Sequence, residues 1–276
     1  MQKFKSKGKK VLNYSNSDHT YALCAYKESE YLEECVKSLL AQSVKSNIFI
    51  ATSTPNRHID DVAQKYGIQV YVNNGEKGIG GDWNFAYNTA DTPLVTIAHQ
   101  DDIYEPQYTE SMLRFVNASK DPIIYFCSYG ELRNGKKVYD NTLLKVKMFM
   151  LSPLKIRRLG TSRWVRRRIL SLGCPICCPA VTFVKQKVGD SPFTNDYLSN
   201  IDWQQWEIQS RKKGSFVYNK QPLMCHRIHN ESATTEIIGD NVRSKEDYDM
   251  FLKFWPRFIA EFLVKIYSNS EKSNNI

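Results

Sequence analysis

The feature that most constrains the fold is an alternation of short apolar strands with amphipathic helices between residues 20 and 98. The stretch Glu28–Gln42, for example, places Leu32, Val36 and Leu39 on one face of a helix. Strand and helix in this order predict a parallel sheet with right-handed crossovers, which is a Rossmann-like arrangement. The predicted strands are Tyr21–Tyr26, Ile48–Ala51, Ile68–Val72 and Leu94–Ala98, and a helix capped by Thr54 with Pro55 at its first position follows the second.

The fourth predicted strand ends in two adjacent acids. Leu94–Ala98 has the composition of a strand covered on both faces, and His99–Asp102 turns polar at once. Ligands bind just beyond the carboxyl ends of parallel strands, and carboxylates placed there can hold a hard divalent cation that contacts substrate phosphates. The alternative is an ordinary strand-end turn in which Asp102 is a solvated cap.

The charge and the hydropathy of the chain indicate where the protein is located and what kind of partner it binds. The formal net charge of +9 suggests an anionic partner such as nucleic acid, anionic lipid or a phosphorylated substrate. No apolar run approaches the roughly 20 residues of a transmembrane helix. Residues 1–18 are basic and polar, without the apolar core of a secretory signal, which predicts a flexible tail on a cytoplasmic protein. Contact with the inner face of the cell membrane is left open.

The cysteines and glycines argue against a zinc-binding protein and against a dinucleotide-dependent dehydrogenase. The cluster Cys174, Cys177 and Cys178 contains a CxxC, but no second Cys or His pair at zinc-ligand spacing is evident, so we expect small thiols in a loop. The glycines at 75–81 follow the third strand and differ in spacing from the dinucleotide fingerprint, which argues against a cofactor dehydrogenase.

Five motifs along the chain carry a family resemblance. They are Ala25-Tyr26-Lys27-Glu28 with Ser38-Leu39-Leu40-Ala41-Gln42-Ser43; Asn74 and the glycine loop with Asn84 and Ala90; Gln100-Asp101-Asp102; Asp202 with Arg211 and Gly214; and Arg227-Ile228-His229-Asn230-Glu231-Ser232. In this order they resemble the motifs of family-2 glycosyltransferases of the GT-A fold, from about Tyr21 to Thr235.

The resemblance implies an α/β fold of the GT-A type: a Rossmann-like, mostly parallel central sheet flanked by helices, with C-terminal helices on the acceptor side. The basic tail would span residues 1–18 and the GT-A domain residues 19–235. The nucleotide-sugar half would end near residue 130 and the acceptor half would fill 131–235. Residues 236–276 would form a helical extension.

The implied activity is inverting, metal-dependent transfer of a sugar from a nucleotide diphosphate sugar to a hydroxyl. A UDP-sugar is the leading donor, with Mn²⁺ or Mg²⁺ as the metal. A saccharide or lipid-linked saccharide is the acceptor, in the synthesis of a capsule or another surface polysaccharide or glycoconjugate. A homodimer is left open.

The resemblance also assigns roles to residues. Asp101 is the expected main metal ligand, with Asp102 and His229 as further candidates. Asp202 is the expected general base, and its alternative is a helix N-cap. The candidates for the nucleotide pocket are Ala25, Glu28, Thr52, Asn74, Asp82, Trp83, Gln100 and Asp101.

Three departures from the family pattern stand out. Hydroxyl residues from Thr52 to Thr54 replace an acidic pair common in the family. Trp83 replaces a basic residue and could stack on a base or pack in the core. His99 replaces the first acid of the metal motif, and its role is left open.

Several alternatives remain beside the glycosyltransferase hypothesis. A nucleotidyltransferase would need a glycine- and lysine-rich loop after the first strand, which Ala25–Ser29 lacks. The net charge and the arginine-rich stretch 163–168 would suit a nucleic-acid-binding protein, although no nucleic acid is expected because the arginines are local. The same stretch could form a helix on anionic lipid, or an ordinary surface helix. An inactive glycosyltransferase-like domain is the last alternative.

Overall fold

The computed structural model of the chain describes residues 13–229 and 240–272. Most of the predicted basic tail lies outside these residues. So do the end of the fifth motif, from Asn230 onwards, and the predicted boundary at residue 235.

Helices and strands alternate through the first half of the chain, and longer strands mix with helices in the second. The strands are β1 His19–Ala25, β2 Asn47–Thr52, β3 Gln69–Val72, β4 Leu94–His99, β5 Ile103–Tyr104, β6 Pro122–Arg133, β7 Lys136–Val138, β8 Val181–Val184 and β9 Ser215–Ile228. The helices are α1 Leu32–Leu40, α2 Arg57–Tyr66, α3 Ile79–Thr89, α4 Tyr108–Asn117, α5 Thr142–Met150, α6 Arg163–Leu170, α7 Lys185–Val188, α8 Ile201–Ser210, α9 Asp240–Leu252 and α10 Arg257–Lys272.

The predicted parallel half of the sheet is present. Nine strands of the described chain form one sheet in the order β3-β2-β1-β4-β8-β6-β9-β5, with β7 paired to β6. Strand β1 runs parallel to β2 and β4, and β2 runs parallel to β3. Ala25 pairs with Thr52, and Cys24 pairs with His99. The carboxyl ends of these strands therefore meet at one edge, as the motif order requires.

Beyond β4 the sheet is mixed. Strand β8 is antiparallel to β4 and to β6, whereas β9 runs parallel to β6 and antiparallel to β5. Cys225 in β9 pairs with Ile103, so the end of β9 passes beside the acidic turn after β4. The predicted division near residue 130 falls inside β6, which means that the two halves share one sheet.

Two helices begin at residues other than those predicted from the sequence. Helix α1 begins at Leu32, four residues later than predicted. The predicted cap at Thr54 is wrong, because the Thr54 hydroxyl accepts a hydrogen bond from the Lys27 amide at 2.6 Å. Asn56 caps α2 instead, accepting from the Ile59 amide at 3.0 Å. The predicted hairpin at Asn134-Gly135 is confirmed, with positive φ angles of 47° and 73°.

The two core layers lie on opposite faces of the sheet, and both tryptophans of α8 belong to one of them. Trp203 and Trp206 are fully buried, and their ring N–H groups donate to the carbonyls of Leu170 and Ile176. Both rings therefore belong to the core.

The arginine-rich helix α6 is held to the protein by its own arginines. Arg166 is buried, donates to the carbonyls of Gly214 and Lys212 at 3.0 and 2.8 Å, and lies over the ring of Phe216. Arg167 pairs with Glu207, and Arg168 stacks over Trp255 at 4.7 Å. These three side chains are therefore not available to anionic lipid or nucleic acid. In the described part of the chain, no helix has the length and apolarity needed to cross a membrane.

Replacing the buried arginine should destabilise the fold. In Arg166→Met the two carbonyls lose their donor, so we expect the free energy of unfolding to fall by about 2–4 kcal/mol. Urea denaturation measures this loss. Arg163→Met, in which an exposed arginine of the same helix is changed, should stay within about 0.5 kcal/mol of the wild type. Equal losses in the two variants would contradict the buried role of Arg166.

Candidate active site at the strand ends

A cleft of about 2060 Å³ opens at the carboxyl ends of β1, β2 and β4 and extends past the end of β9 towards α5, α8 and α10. Most residues predicted to bind donor, metal or acceptor line this one cleft. They are Ala25, Glu28, Asp82, Trp83, Gln100, Asp101, Asp202 and His229.

Three predicted residues do not line the cleft. Thr52 is buried, and its hydroxyl accepts from the Thr54 amide within the turn after β2. Asn74 is exposed outside the cleft. Asp102 is fully buried behind the cleft wall. Burial keeps the Thr52 side chain out of the cleft, and position does the same for Asn74. Asp102 remains a candidate metal ligand beside Asp101.

Asp101 and His229 come together although 128 residues separate them. The Nε2 atom of His229 lies 3.0 Å from Oδ2 of Asp101, and the His229 ring packs edge-on against Tyr31. Adjacent ligands of a six-coordinate Mn²⁺ or Mg²⁺ ion, each about 2.1 Å from the metal, are also about 3 Å apart. Carboxylate oxygen and imidazole nitrogen suit such a cation, so this pair fits a divalent metal.

Asp102 ties the end of β9 to the end of β4. Its Oδ1 atom accepts hydrogen bonds from the Arg227 amide at 3.0 Å and from Nδ1 of His226 at 2.9 Å. Its Oδ2 atom is buried without a hydrogen-bond partner among the described residues and lies 3.9 Å from Nδ1 of His99. Asp102 therefore fixes the position of its neighbour Asp101.

Arg227 adds a second tie at the same place. Its Nε donates to the Asp101 carbonyl at 2.8 Å, and its Nη2 donates to Glu34 of α1 at 2.5 Å. The guanidinium lies 4.1 Å above the ring of Tyr31. The acidic turn, β9 and α1 are thus held together by one side chain.

The electrostatics of this cluster favour an ionised Asp101. Burial raises the pKa of Asp101, but the hydrogen bond from His229 and the nearby His226 and His99 lower it more, to about 2. Burial lowers the pKa of His226, but the Asp102 carboxylate raises it more, to about 9. At neutral pH the turn therefore offers a carboxylate ligand beside a protonated His226.

His99 lies between the acids and the aromatic wall. Its ring stacks on Trp83 with 5.0 Å between ring centroids, and its Nε2 is buried without a hydrogen-bond partner in the described chain. Burial lowers its pKa, which favours the neutral ring. Ligand atoms of His99, Asp101 and Asp102 lie within 4.8 Å of one another, so they form a second set of donors that shares Asp101.

Hydrogen bonds fix the loops at the donor end. The Asp82 carboxylate accepts from the Ser53 hydroxyl and from the Asn73 amide, each at 2.8 Å. Gln100 accepts from the Tyr26 amide at 2.9 Å and donates to the Tyr26 carbonyl at 3.0 Å. Asp82 and Gln100 therefore shape the pocket through its loops.

Asp202 lines the same cleft from the first turn of α8. It is not the N-cap, because that position belongs to Asn200. Its Oδ1 accepts from the Trp203 amide at 2.6 Å, and the thiol of Cys174 lies 3.6 Å from its Oδ2. Burial raises the pKa of Asp202. A buried carboxylate with a raised pKa is a stronger base than a solvated one.

The sequence pattern missed several residues that shape the site. Asn73, rather than its neighbour Asn74, is buried and binds Asp82. His226 stands three residues before the predicted His229 and contacts Asp102. Cys174 comes from the cluster that was expected to be inert. An alternating strand pattern would have placed His226 and Ile228 on one face of β9, but not beside Asp102.

Two comparisons with known proteins bear on this site. The sequence model of glycosyl transferase family 2 matches residues 20–173, from β1 to the loop after α6. No match was found among curated proteins.

Two solved structures with similar folds were bound to nucleotide sugars. TarS of S. aureus, residues 1–349 in complex with UDP-GlcNAc, is 13% identical over 93% of this chain and 73% of its own, with a TM-score of 0.59. The mannosyltransferase PcManGT of Pyrobaculum calidifontis, in complex with GDP-Man and Mn²⁺, is 12% identical over 92% of this chain and 71% of its own, with a TM-score of 0.61.

The pairing of His226 with Asp102 can be tested by NMR titration of the metal-free protein. We expect His226 to titrate at about 9 in the wild type. In Asp102→Asn its midpoint should fall towards or below the ordinary histidine value of about 6.5, because burial remains after the carboxylate charge is gone. His19, whose pKa burial lowers to about 3, should stay neutral in both proteins. An unchanged His226 midpoint in the variant would refute the pairing.

Proposed function

The chain belongs to glycosyl transferase family 2, and on that basis we propose that it is an inverting, metal-dependent enzyme that transfers a sugar from a UDP-sugar to a hydroxyl of a saccharide acceptor. The family resemblance and the GT-A fold predicted from the motifs are confirmed, and with them glycosyl transfer as the activity. The donors bound in the two solved structures support a nucleotide sugar as the proposed donor. The inverting course, the metal and the acceptor are the proposed parts.

The observation that carries the proposal is the meeting of three side chains in one cleft. Asp101 and His229 lie 3.0 Å apart at the strand ends, and Asp202 lines the same cleft from α8. We propose that Asp101 and His229 face the diphosphate of the donor and that the Asp202 carboxylate faces the acceptor. Transfer of a sugar needs this division, because one bond to the anomeric carbon must break while another forms.

Asp101 and His229 would hold the metal. A divalent cation bound there would stabilise the negative charge that develops on the departing diphosphate. Mn²⁺ or Mg²⁺ is proposed, since both accept carboxylate and phosphate oxygens. The mannosyltransferase with a similar fold was solved with Mn²⁺.

The donor pocket would be formed by the loops after β1 and β2 and by the start of α3. Ser53, Thr54 and Tyr26 line it with hydroxyl groups, which can hydrogen-bond a ribose or a base edge. TarS was solved with UDP-GlcNAc and the mannosyltransferase with GDP-Man. Both uridine and guanosine donors therefore belong in the test, with UDP-sugar as the proposed donor.

Asp202 would act as the general base. Its carboxylate would take the proton of the acceptor hydroxyl as that oxygen bonds to the anomeric carbon and the bond to the diphosphate oxygen breaks. We propose that Asp202 would meet the sugar on the face opposite the diphosphate, so that attack comes from that face. The configuration at the anomeric carbon is then inverted.

We place the reaction in the synthesis of a capsule or another surface polysaccharide. The cytoplasmic location, contact with a membrane and a homodimer stay predictions. The arginines of α6 no longer support a nucleic-acid-binding alternative, because Arg166, Arg167 and Arg168 contact the protein itself.

Removing the Asp101 charge should abolish metal-dependent binding of the donor. We expect wild-type protein to bind UDP more tightly with Mn²⁺ than without it, as titration calorimetry would show. Asp101→Asn should lose at least tenfold of that affinity and most of its dependence on Mn²⁺, because the main anionic ligand is gone. Asp60→Asn, an exposed change on α2, should behave as wild type. Equal Mn²⁺ dependence in both variants would contradict the metal assignment.

Removing the Asp202 charge should stop transfer and spare donor binding. We expect Asp202→Asn to keep its nucleotide affinity within about twofold while kcat falls by about 10²–10⁴-fold. Because burial raises the Asp202 pKa, wild-type kcat should rise with pH along a limb whose midpoint lies above the ordinary aspartate value of about 3.9. Release of nucleoside diphosphate from UDP- and GDP-sugars measures kcat and its pH dependence, and titration calorimetry measures the nucleotide affinity.

Asp190→Asn, an exposed change outside the cleft, is the matched control and should keep normal turnover. Normal turnover by Asp202→Asn would remove Asp202 as the base. Retained anomeric configuration in the product would contradict the inverting course.

A further inference from the structure

The acceptor end of the cleft contains a lysine that the transfer reaction does not use. Lys147, on α5, lines the cleft, and its ammonium group donates to the Tyr129 hydroxyl at 2.8 Å. That partner is neutral, and among the described residues Lys147 forms no ion pair with a carboxylate. A partly buried cation whose hydrogen-bond partner is neutral favours an anionic ligand.

The surroundings of Lys147 place it on the acceptor side. Burial raises the pKa of Asp202, and the nearby charge of Lys147 opposes that rise. The lysine is therefore close to the proposed base. Arg133, a further cation at the cleft wall, is already paired with Glu131 at 2.7 Å. Arg243 also lines the cleft.

An apolar rim lies next to Lys147. Val146 on α5, Leu172 after α6 and Ile266 on α10 line the cleft and are 50%, 53% and 53% exposed. Met150 and Leu263 line the same end. Three separate elements thus present large apolar side chains to solvent at the mouth of one cleft, an arrangement that usually marks a binding surface.

We propose that the acceptor is a saccharide joined through a phosphate to an apolar chain, with the phosphate on Lys147 and the chain on the rim formed by Val146, Leu172 and Ile266. This inference rests on the proposed function and deepens it. A lysine ammonium binds phosphate as a point charge. Val146 and Lys147 both line this cleft from α5, so the apolar rim and the lysine face the same space.

The donor diphosphate is the other source of phosphate that Lys147 could meet. It would lie against Asp101 and His229, whereas the hydrogen-bond partner of Lys147 is Tyr129. The charge of Lys147 influences both Asp202 and His226, so electrostatics alone do not separate the two sources. The adjoining apolar side chains favour the acceptor, and the experiment separates the two.

The test is titration calorimetry with three probes below their micelle concentrations: n-octyl phosphate, n-octyl glucoside and inorganic phosphate. Each is titrated with and without saturating Mn²⁺ and nucleoside diphosphate, so that the donor site can be filled. We expect octyl phosphate to bind at least tenfold more tightly than either other probe. Its affinity should fall as NaCl is raised, while that of octyl glucoside should not.

Two sets of variants assign the contacts. Lys147→Met should weaken octyl phosphate at least tenfold and leave the Mn²⁺-dependent nucleotide affinity within twofold. Lys145→Met, an exposed lysine on the same helix, should match wild type. The double change Leu172→Ser and Ile266→Ser should weaken octyl phosphate at least fivefold without affecting inorganic phosphate. Phe258→Ser, an exposed change on α10 away from the cleft, is its control.

Three results would overturn the inference. They are equal wild-type affinity for octyl phosphate and octyl glucoside, rim variants that bind octyl phosphate normally, or a Lys147→Met variant that loses nucleotide and keeps octyl phosphate. The first comparison uses wild-type protein alone, so it holds even if a variant does not fold. Failure of the proposed function would look different, because no nucleoside diphosphate would bind with Mn²⁺.

Discussion

The buried carboxylate of Asp102 is the contact on which the geometry of the site depends. A buried charge is destabilising unless it is hydrogen-bonded. The Asp102 carboxylate accepts hydrogen bonds from the Arg227 amide and from the ring of His226, and these offset the loss of hydration. Both partners belong to β9, whereas Asp102 follows β4. The contact therefore joins two strand ends that are distant in the sequence. As a result Asp101 and His229 stand 3.0 Å apart, at a spacing suited to a divalent cation.

The two halves of the sheet divide the chemistry between them. The parallel strands β1, β2 and β4 end in the loops of the proposed donor pocket, which agrees with the binding of ligands at the carboxyl ends of such strands. The mixed half supplies β9 with His229, and α8 with Asp202. Because β6 and β9 belong to the same sheet as β4, one sheet supports both the proposed donor side and the proposed acceptor side of the cleft. The acceptor wall adds α5 and α10, whose apolar side chains remain exposed.

The sequence predicts the parallel half well and the site in part. The strand from Leu94 to the two acids, and the order of the motifs, identified the family because both are local patterns. The choice between neighbouring residues was harder. Asn74 was predicted to bind the ligand, but it is Asn73 that is buried and binds Asp82. Adjacent side chains after a strand point in different directions, and the sequence does not show which one faces the site. Contacts such as His226 with Asp102 depend on β9 pairing with β5, more than 100 residues away. The arginines of α6 were ambiguous, because an amphipathic pattern does not distinguish a lipid surface from a protein one.

The most direct test of the account is the position of the metal. Crystals grown with Mn²⁺ and UDP, with diffraction measured at the manganese absorption edge, would locate the ion by its anomalous scattering. The account predicts one strong peak coordinated by Oδ2 of Asp101 and Nε2 of His229, with a nucleotide phosphate completing its ligands. A peak on His99 and Asp102 that leaves His229 uncoordinated, or UDP bound with no manganese beside it, would contradict the account.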